Sequence, residues 1–140
     1  MRTRALFAAV MTSGLLIGCA PGLISSMPHA CNMAVCNITI SVAGDRVIVD
    51  PEIVLVVKNN RDVQLHWHLA PGLEFSGSGD GVAFKGPTQD QFYGGRVTEN
   101  KKSYHWRDRN TVSGEFHYSV TFHDSAGRLY FKDPTIMNES

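Results

Sequence analysis

The sequence has no excess of either charge, because its 140 residues include 13 Lys and Arg and 13 Asp and Glu. A protein that grips phosphates along a nucleic acid needs a basic stripe, so this balance argues against a nucleic-acid partner. Charged residues make up only 19% of the chain and apolar residues 43%. That composition excludes a disordered chain and is typical of one globular domain.

Sequence motifs of common catalytic chemistry are also missing. The chain contains no G-x-S-x-G nucleophile motif, no C-x-x-C redox motif and no C-x-x-C-H haem motif. Its serines and carboxylates follow no spacing that would pair them with a general base. We therefore expect a protein that is not an enzyme and that carries no cofactor.

A hydrophobic run long enough to cross a membrane is absent as well. The longest uncharged apolar stretch covers residues 5–17, whereas a transmembrane helix needs about 20 residues. With Arg2 and Arg4 before it, this stretch has the layout of a secretory signal. The Leu16-Ile17-Gly18-Cys19 segment that follows resembles the bacterial lipobox, in which the cysteine is acylated and becomes the mature N-terminus.

This resemblance sets the predicted domain organisation. Residues 1–18 form a lipoprotein signal peptide, residues 19–34 hold the lipidated Cys19 and a tether, and residues 35–138 form the folded domain. The tether is rich in Pro, Gly and Ser, which break regular elements. Lipoproteins with Asp after the cysteine stay in the inner membrane, and here that residue is Ala20. The expected location is the outer membrane, facing the periplasm, with the lipid bilayer as a partner through acylated Cys19.

Cysteine is scarce, with three in the chain. If Cys19 carries lipid, Cys31 and Cys36 remain as a pair in an oxidising compartment, which favours a disulfide between them. Two alternatives stay open, namely free thiols or a metal bound by both cysteines with His29.

The folded domain shows the two-residue alternation of β-strands and no helical stripe. The clearest strand covers residues 114–123, with Phe116, Tyr118, Val120 and Phe122 inward. In residues 63–69, Trp67 heads the apolar face. These patterns predict an all-β fold, a single antiparallel β-sandwich of about 7–9 strands, cupredoxin-like or immunoglobulin-like.

Residues 70–100 interrupt this pattern with seven of the 13 glycines. Long loop-rich excursions commonly carry binding function. Phe92 and Tyr93 are the candidate ligand-binding residues in this segment, and an envelope protein is a candidate partner.

Histidines suggest a second interpretation. His66 and His68 are two apart and project from one face of a strand, whereas His117 and His123 lie roughly 20 Å apart along another strand. Imidazole suits copper or zinc, and a three-histidine site requires the two strands to be neighbours. The alternative function is therefore a periplasmic metal-binding protein, beside the simpler interpretation of solvated surface histidines.

Taken together, the segments resemble a group of uncharacterised bacterial exported lipoprotein domains with a cupredoxin-like β-sandwich. The resemblance spans most of residues 35–138. A blue-copper site needs two histidines and a cysteine thiolate, but no cysteine follows Cys36, so the resemblance implies the fold and not electron transfer. It is carried by Val49-Asp50-Pro51, Leu65-His66-Trp67-His68-Leu69, Trp106 with Asp108 and Asn110, Phe116-His117-Tyr118-Ser119-Val120, and Asp133-Pro134-Thr135-Ile136-Met137-Asn138.

Overall fold

The fold is all-β, as the alternation predicts, in a computed structural model that describes residues 27–77 and 81–140. Within these residues, no helix is long and apolar enough to cross a membrane. The predicted signal peptide and Cys19 lie outside the described residues. The strands are β1 (His29–Cys31), β2 (Val35–Ala43), β3 (Arg46–Asp50), β4 (Ile53–Val56), β5 (Val63–Leu69), β6 (Leu73–Phe75), β7 (Val82–Phe84), β8 (Phe92–Val97), β9 (Ser103–Asp108), β10 (Gly114–Asp124), β11 (Leu129–Lys132) and β12 (Thr135–Asn138).

Two sheets form the sandwich. The five-stranded sheet has the order β3-β2-β5-β9-β8. In the seven-stranded sheet the path runs β1-β4-β12-β10-β11, and β6 and β7 also pair with β10. Strands β11 and β12 pair with successive halves of β10 in one continuous register, so they line one edge of β10, and β6 and β7 line the other.

The expectation of a purely antiparallel sandwich is wrong in detail, because both sheets are mixed. Strand β2 runs parallel to β5, and β4 runs parallel to both β1 and β12. An alternating pattern fixes which side chains are buried but does not encode the direction of the neighbouring strand.

The described residues form twelve strands, more than the predicted seven to nine. Residues 70–100 contain three short strands, β6, β7 and β8. Strand β1 lies inside residues 19–34, the predicted tether. This part of the segment belongs to the folded domain, because Cys31 is buried and its backbone pairs with β4.

The alternation in β10 places one face in the core. Phe116, Tyr118, Val120 and Phe122 are buried, as predicted, and Trp67 of β5 is fully buried against them. The Trp67 indole Nε1–H donates a hydrogen bond of 3.0 Å to the Tyr118 hydroxyl. This bond crosses between the two sheets and satisfies both polar groups at the centre of the core.

The predicted disulfide between Cys31 and Cys36 is present, with their Cα atoms 5.9 Å apart. Cys31 belongs to β1 in the seven-stranded sheet, and Cys36 belongs to β2 in the five-stranded sheet. The disulfide therefore joins the two sheets on the side where the chain enters the domain.

A buried polar network joins the sheets at a third place. Asp108, at the end of β9, is fully buried, and its Oδ1 accepts hydrogen bonds from the Asn110 backbone N–H at 2.9 Å and the Asn138 amide at 3.1 Å. The Asn110 amide in turn donates to the carbonyls of Val57, Asn60 and Glu139. Burial raises the pKa of Asp108 to about 6, against the partly compensating hydrogen bonds.

The raised pKa predicts a characteristic pH dependence of stability. The Asp108 carboxyl has a pKa of about 6 in the native state and 3.8 in the unfolded state. Between these pH values it is therefore mainly protonated in the native protein and mainly ionised in the unfolded chain. The Asp108 contribution is therefore favourable in acid and is lost as the pH rises from about 4 to 6. Asp108→Asn removes the charge and keeps the shape. In urea unfolding, the free energy of unfolding of the wild type should fall by about 2–3 kcal/mol relative to that of Asp108→Asn as the pH rises from 4 to 7.

Asp90→Asn is the matched control, since it removes an exposed carboxylate and should leave the shape of the pH profile as it is in the wild type. A constant difference between wild type and Asp108→Asn across this pH range would contradict a buried carboxyl of raised pKa.

Candidate ligand-binding surface around Trp106

The structure separates the four histidines of the metal hypothesis. His66 and His68 lie on the outer face of the five-stranded sheet, whereas His117 and His123 lie on the outer face of the seven-stranded sheet. Strands β5 and β10 are therefore not neighbours, and the condition for a shared three-histidine site is not met. The predicted three-histidine site is therefore not formed. The pattern of residues within one strand does not reveal which strands are neighbours.

His68 is also held by protein groups on both ring nitrogens. Its Nδ1 lies 2.9 Å from the Ser103 hydroxyl, and its Nε2 lies 3.0 Å from the Asn37 side-chain oxygen. Among the residues that the structure describes, no group of three or more His, Cys, Asp or Glu has the arrangement to hold a metal ion.

A different histidine joins His66. The imidazole of His105, on β9 directly opposite, stacks on that of His66 with ring centroids 3.9 Å apart. Partial burial lowers the pKa of both imidazoles, and the neighbouring Arg96 guanidinium lowers it further. The sequence alone does not link the two histidines, because the pairing of β5 with β9 is not visible in either strand.

Phe92, one of the two predicted ligand-binding residues, is largely buried. It is only 8% exposed, and its ring stacks on Phe84 at 3.6 Å and meets Phe116 edge-on at 5.1 Å. Phe92 is buried because β8 pairs with β9, which turns this side chain into the core.

Tyr93, the next residue, faces the other way and is half-buried. Its hydroxyl donates to the Asp62 carboxylate at 2.9 Å, and the Arg109 guanidinium lies 4.6 Å from its ring centre. Tyr93 therefore remains at the surface, where it forms one wall of a depression.

Trp106 organises this part of the domain. It lies on β9 opposite the buried Leu65, so its side chain points toward the inner side of the sheet. The indole Nε1–H donates a 3.0 Å hydrogen bond to the Val82 carbonyl on β7 of the other sheet. Trp106 thus closes the side of the sandwich between β9 and β7.

A bulge in β8 makes room for the indole. The pairing of β8 with β9 shifts register between Tyr93 and Arg96, at Gly94 and Gly95. A Cβ atom on Gly95 would overlap the Trp106 ring, so only glycine allows this close approach. Gly94 has a φ of +71°, a conformation that also favours glycine.

On one side of Trp106 lies an aromatic groove of about 320 Å³. Phe84, Phe92 and Trp106 supply its rings, and Thr88 lies at its rim. Phe84 and Trp106 meet edge-on, with ring centroids 5.5 Å apart. Most of the groove belongs to the predicted binding excursion, and of the predicted pair Phe92 lines it while Tyr93 does not.

On the other side lies a smaller basic depression of about 190 Å³. It sits on the outer face of the five-stranded sheet, over β5, β9 and β8. Its polar walls come from two rows across these strands, His66–His105–Arg96 and Gln64–Arg107–Tyr93. Trp106 and Gly94 also line it, so Trp106 is shared with the aromatic groove.

No protein-family model matches the chain, and no curated protein matches it either. The resemblance to exported cupredoxin-like domains therefore stays a prediction, and the surface is interpreted from its own geometry.

Gly95→Ala tests the packing of Trp106 against the bulge. The new methyl group would overlap the indole, so we expect a loss of about 1–3 kcal/mol in the free energy of unfolding. Gly114→Ala is the matched control, because a Cβ there lies 3.6 Å from the Phe116 ring, an ordinary contact. The control should change stability by no more than about 0.5 kcal/mol. Equal effects of the two variants in urea unfolding would contradict the assigned packing.

Proposed function

We propose that this protein is an envelope lipoprotein whose β-sandwich is a non-catalytic binding domain, anchored in the outer membrane through acylated Cys19 and facing the periplasm. The observation that carries this proposal is the pair of depressions that meet at Trp106. Concave surfaces with aromatic walls and a few convergent polar groups are typical of ligand-binding sites.

The position of the surface suits an anchored protein. The chain enters the domain through β1, beside the disulfide and at one edge of the seven-stranded sheet. The aromatic groove and the basic depression lie at the opposite side, where β7 and β8 end the two sheets. A lipid at Cys19 therefore leaves the surface around Trp106 free to meet an envelope component.

A depression beside the disulfide, on the side of the chain entry, is a poorer candidate. It has a volume of about 230 Å³ and lies beside Cys31, Cys36 and Pro51. No Lys, Arg, Asp or Glu among the described residues lines it. In the anchored protein this side leads to the bilayer, so we assign ligand binding to the surface around Trp106.

The anchor itself is tested at Cys19. Because acylation requires the cysteine thiol, Cys19→Ser should leave an unprocessed precursor that incorporates no labelled palmitate in bacterial cells. Cys36→Ser is a control that removes a cysteine without touching the lipobox. Palmitate incorporation by Cys19→Ser equal to that of the parent would contradict the lipoprotein assignment.

The binding surface is tested by site-specific photocrosslinking in the intact envelope. Deleting residues 70–100 is unsuitable, since Phe75 and Val82 are fully buried and the domain would lose core strands. A photoreactive residue at Thr88, on the rim of the aromatic groove, should form a discrete adduct with an envelope component. The same residue at exposed Ala126, in the β10–β11 turn, is the control.

We expect an adduct from the photoreactive residue at Thr88 and none from the one at Ala126. Adding Arg96→Gln should reduce the yield of the Thr88 adduct. Arg46→Gln alters an exposed arginine at the far edge of the same sheet and should leave the adduct unchanged. Equal adducts from both positions, or none from Thr88, would contradict the binding of an envelope component at this surface.

A further inference from the structure

The basic depression holds positive charge that the described protein does not neutralise. Arg96 and Arg107 are exposed, and neither guanidinium forms an ion pair or hydrogen bond with another described side chain. Of the residues that line the depression, none is Asp or Glu. The Asp62 carboxylate accepts a hydrogen bond from the Tyr93 hydroxyl, and the Arg109 guanidinium adds a further cation over the Tyr93 ring.

The strand register brings these groups within reach of one ligand. Arg107 and His105 project from the same face of β9, and Arg96 of β8 lies opposite His105. Arg96 and Arg107 therefore lie diagonally across the β8–β9 pair, on either side of the Gly94–Gly95 bulge, a relation within reach of long side chains. A single small group between them can contact both guanidinium planes.

The other walls supply neutral hydrogen-bonding groups. His66 lies beside His105, and its Nε2 is 3.2 Å from the Gln64 side-chain oxygen. Imidazole and amide N–H groups donate to oxygen acceptors without adding a competing negative charge. A volume of about 190 Å³ holds roughly six water molecules, so an anion of a few heavy atoms fits.

We propose that the basic depression binds an oxyanion, a sulfate, phosphate or carboxylate group of an envelope ligand, with Arg96 and Arg107 as its main contacts. This assignment rests on the proposed binding function and names the chemistry of the ligand. Guanidinium groups pair with oxyanions through two parallel N–H donors, which makes arginine more selective for such groups than lysine. The formal charge of the whole chain is zero, so the attraction is local to this face of the sheet.

Sulfate is the probe, because it stays fully charged near neutral pH. An NMR titration of the ¹⁵N-labelled domain at pH 7, with sodium chloride as the ionic-strength control, should move the amide signals of Arg96, His105 and Arg107 in a saturable manner. The affinity expected for one small anion at an exposed site is in the millimolar range.

Arg96→Gln and Arg107→Gln should each weaken sulfate binding about tenfold, the size of one lost charge-assisted hydrogen bond. Arg46→Gln should bind sulfate as the wild type does. Circular dichroism spectra confirm that each variant is folded, and the two site variants guard against the failure of either one. Unsaturable shifts, or unchanged affinity in both site variants, would overturn the proposal.

Vesicles of phosphatidylglycerol in phosphatidylcholine distinguish the source of the oxyanion once sulfate binds. Binding to the vesicles that is lost in Arg96→Gln identifies a lipid headgroup, and no binding identifies a soluble or polymer-borne ligand. Vesicle binding without any sulfate binding would overturn a discrete site. A Thr88 adduct without sulfate binding refutes only the oxyanion assignment, whereas sulfate binding without an adduct refutes only the envelope partner.

Discussion

The contact of Trp106 with Gly95 and Val82 is the constraint on which the candidate surface depends. The indole fills the space that the β8 bulge leaves and hydrogen-bonds to the opposite sheet. Because an indole buried at its N–H needs a partner, this bond fixes the ring in one orientation. Trp106 lines both the aromatic groove and the basic depression, so a shift of this residue would reshape both.

Four cross-sheet links, this contact included, hold the two sheets of the small domain together. The disulfide ties the sheets at the chain entry, the Trp67–Tyr118 bond ties them at the centre, the Asp108–Asn138 bond ties them where β9 ends, and Trp106–Val82 ties them at the side of the ligand surface. Binding groups placed on strands between such links are held more precisely than groups on free loops.

Much of the fold could be predicted, because alternation reports directly on burial. Strand β10 and the inward position of Trp67 follow from the period of two, and the disulfide follows from cysteine spacing and compartment. The sheet order could not be predicted, and for that reason the proposed three-histidine site combined strands β5 and β10, which belong to different sheets. The stacking of His66 on His105 and the diagonal of Arg96 and Arg107 arise only when β5, β9 and β8 pair. A sequence signal for the surface did exist in Gly94-Gly95, since paired glycines between β-forming residues indicate a bulge.

The two tryptophans allow one measurement of the central claim, that the basic depression beside Trp106 is a ligand site. Their indole N–H groups give two resolvable NMR signals, one from the core, where Trp67 bonds to Tyr118, and one from the surface, where Trp106 bonds to Val82. During a sulfate titration at constant ionic strength, the account predicts that the Trp106 signal moves saturably while the Trp67 signal stays in place. A Trp106 signal that does not move, or two signals that move together, would contradict it.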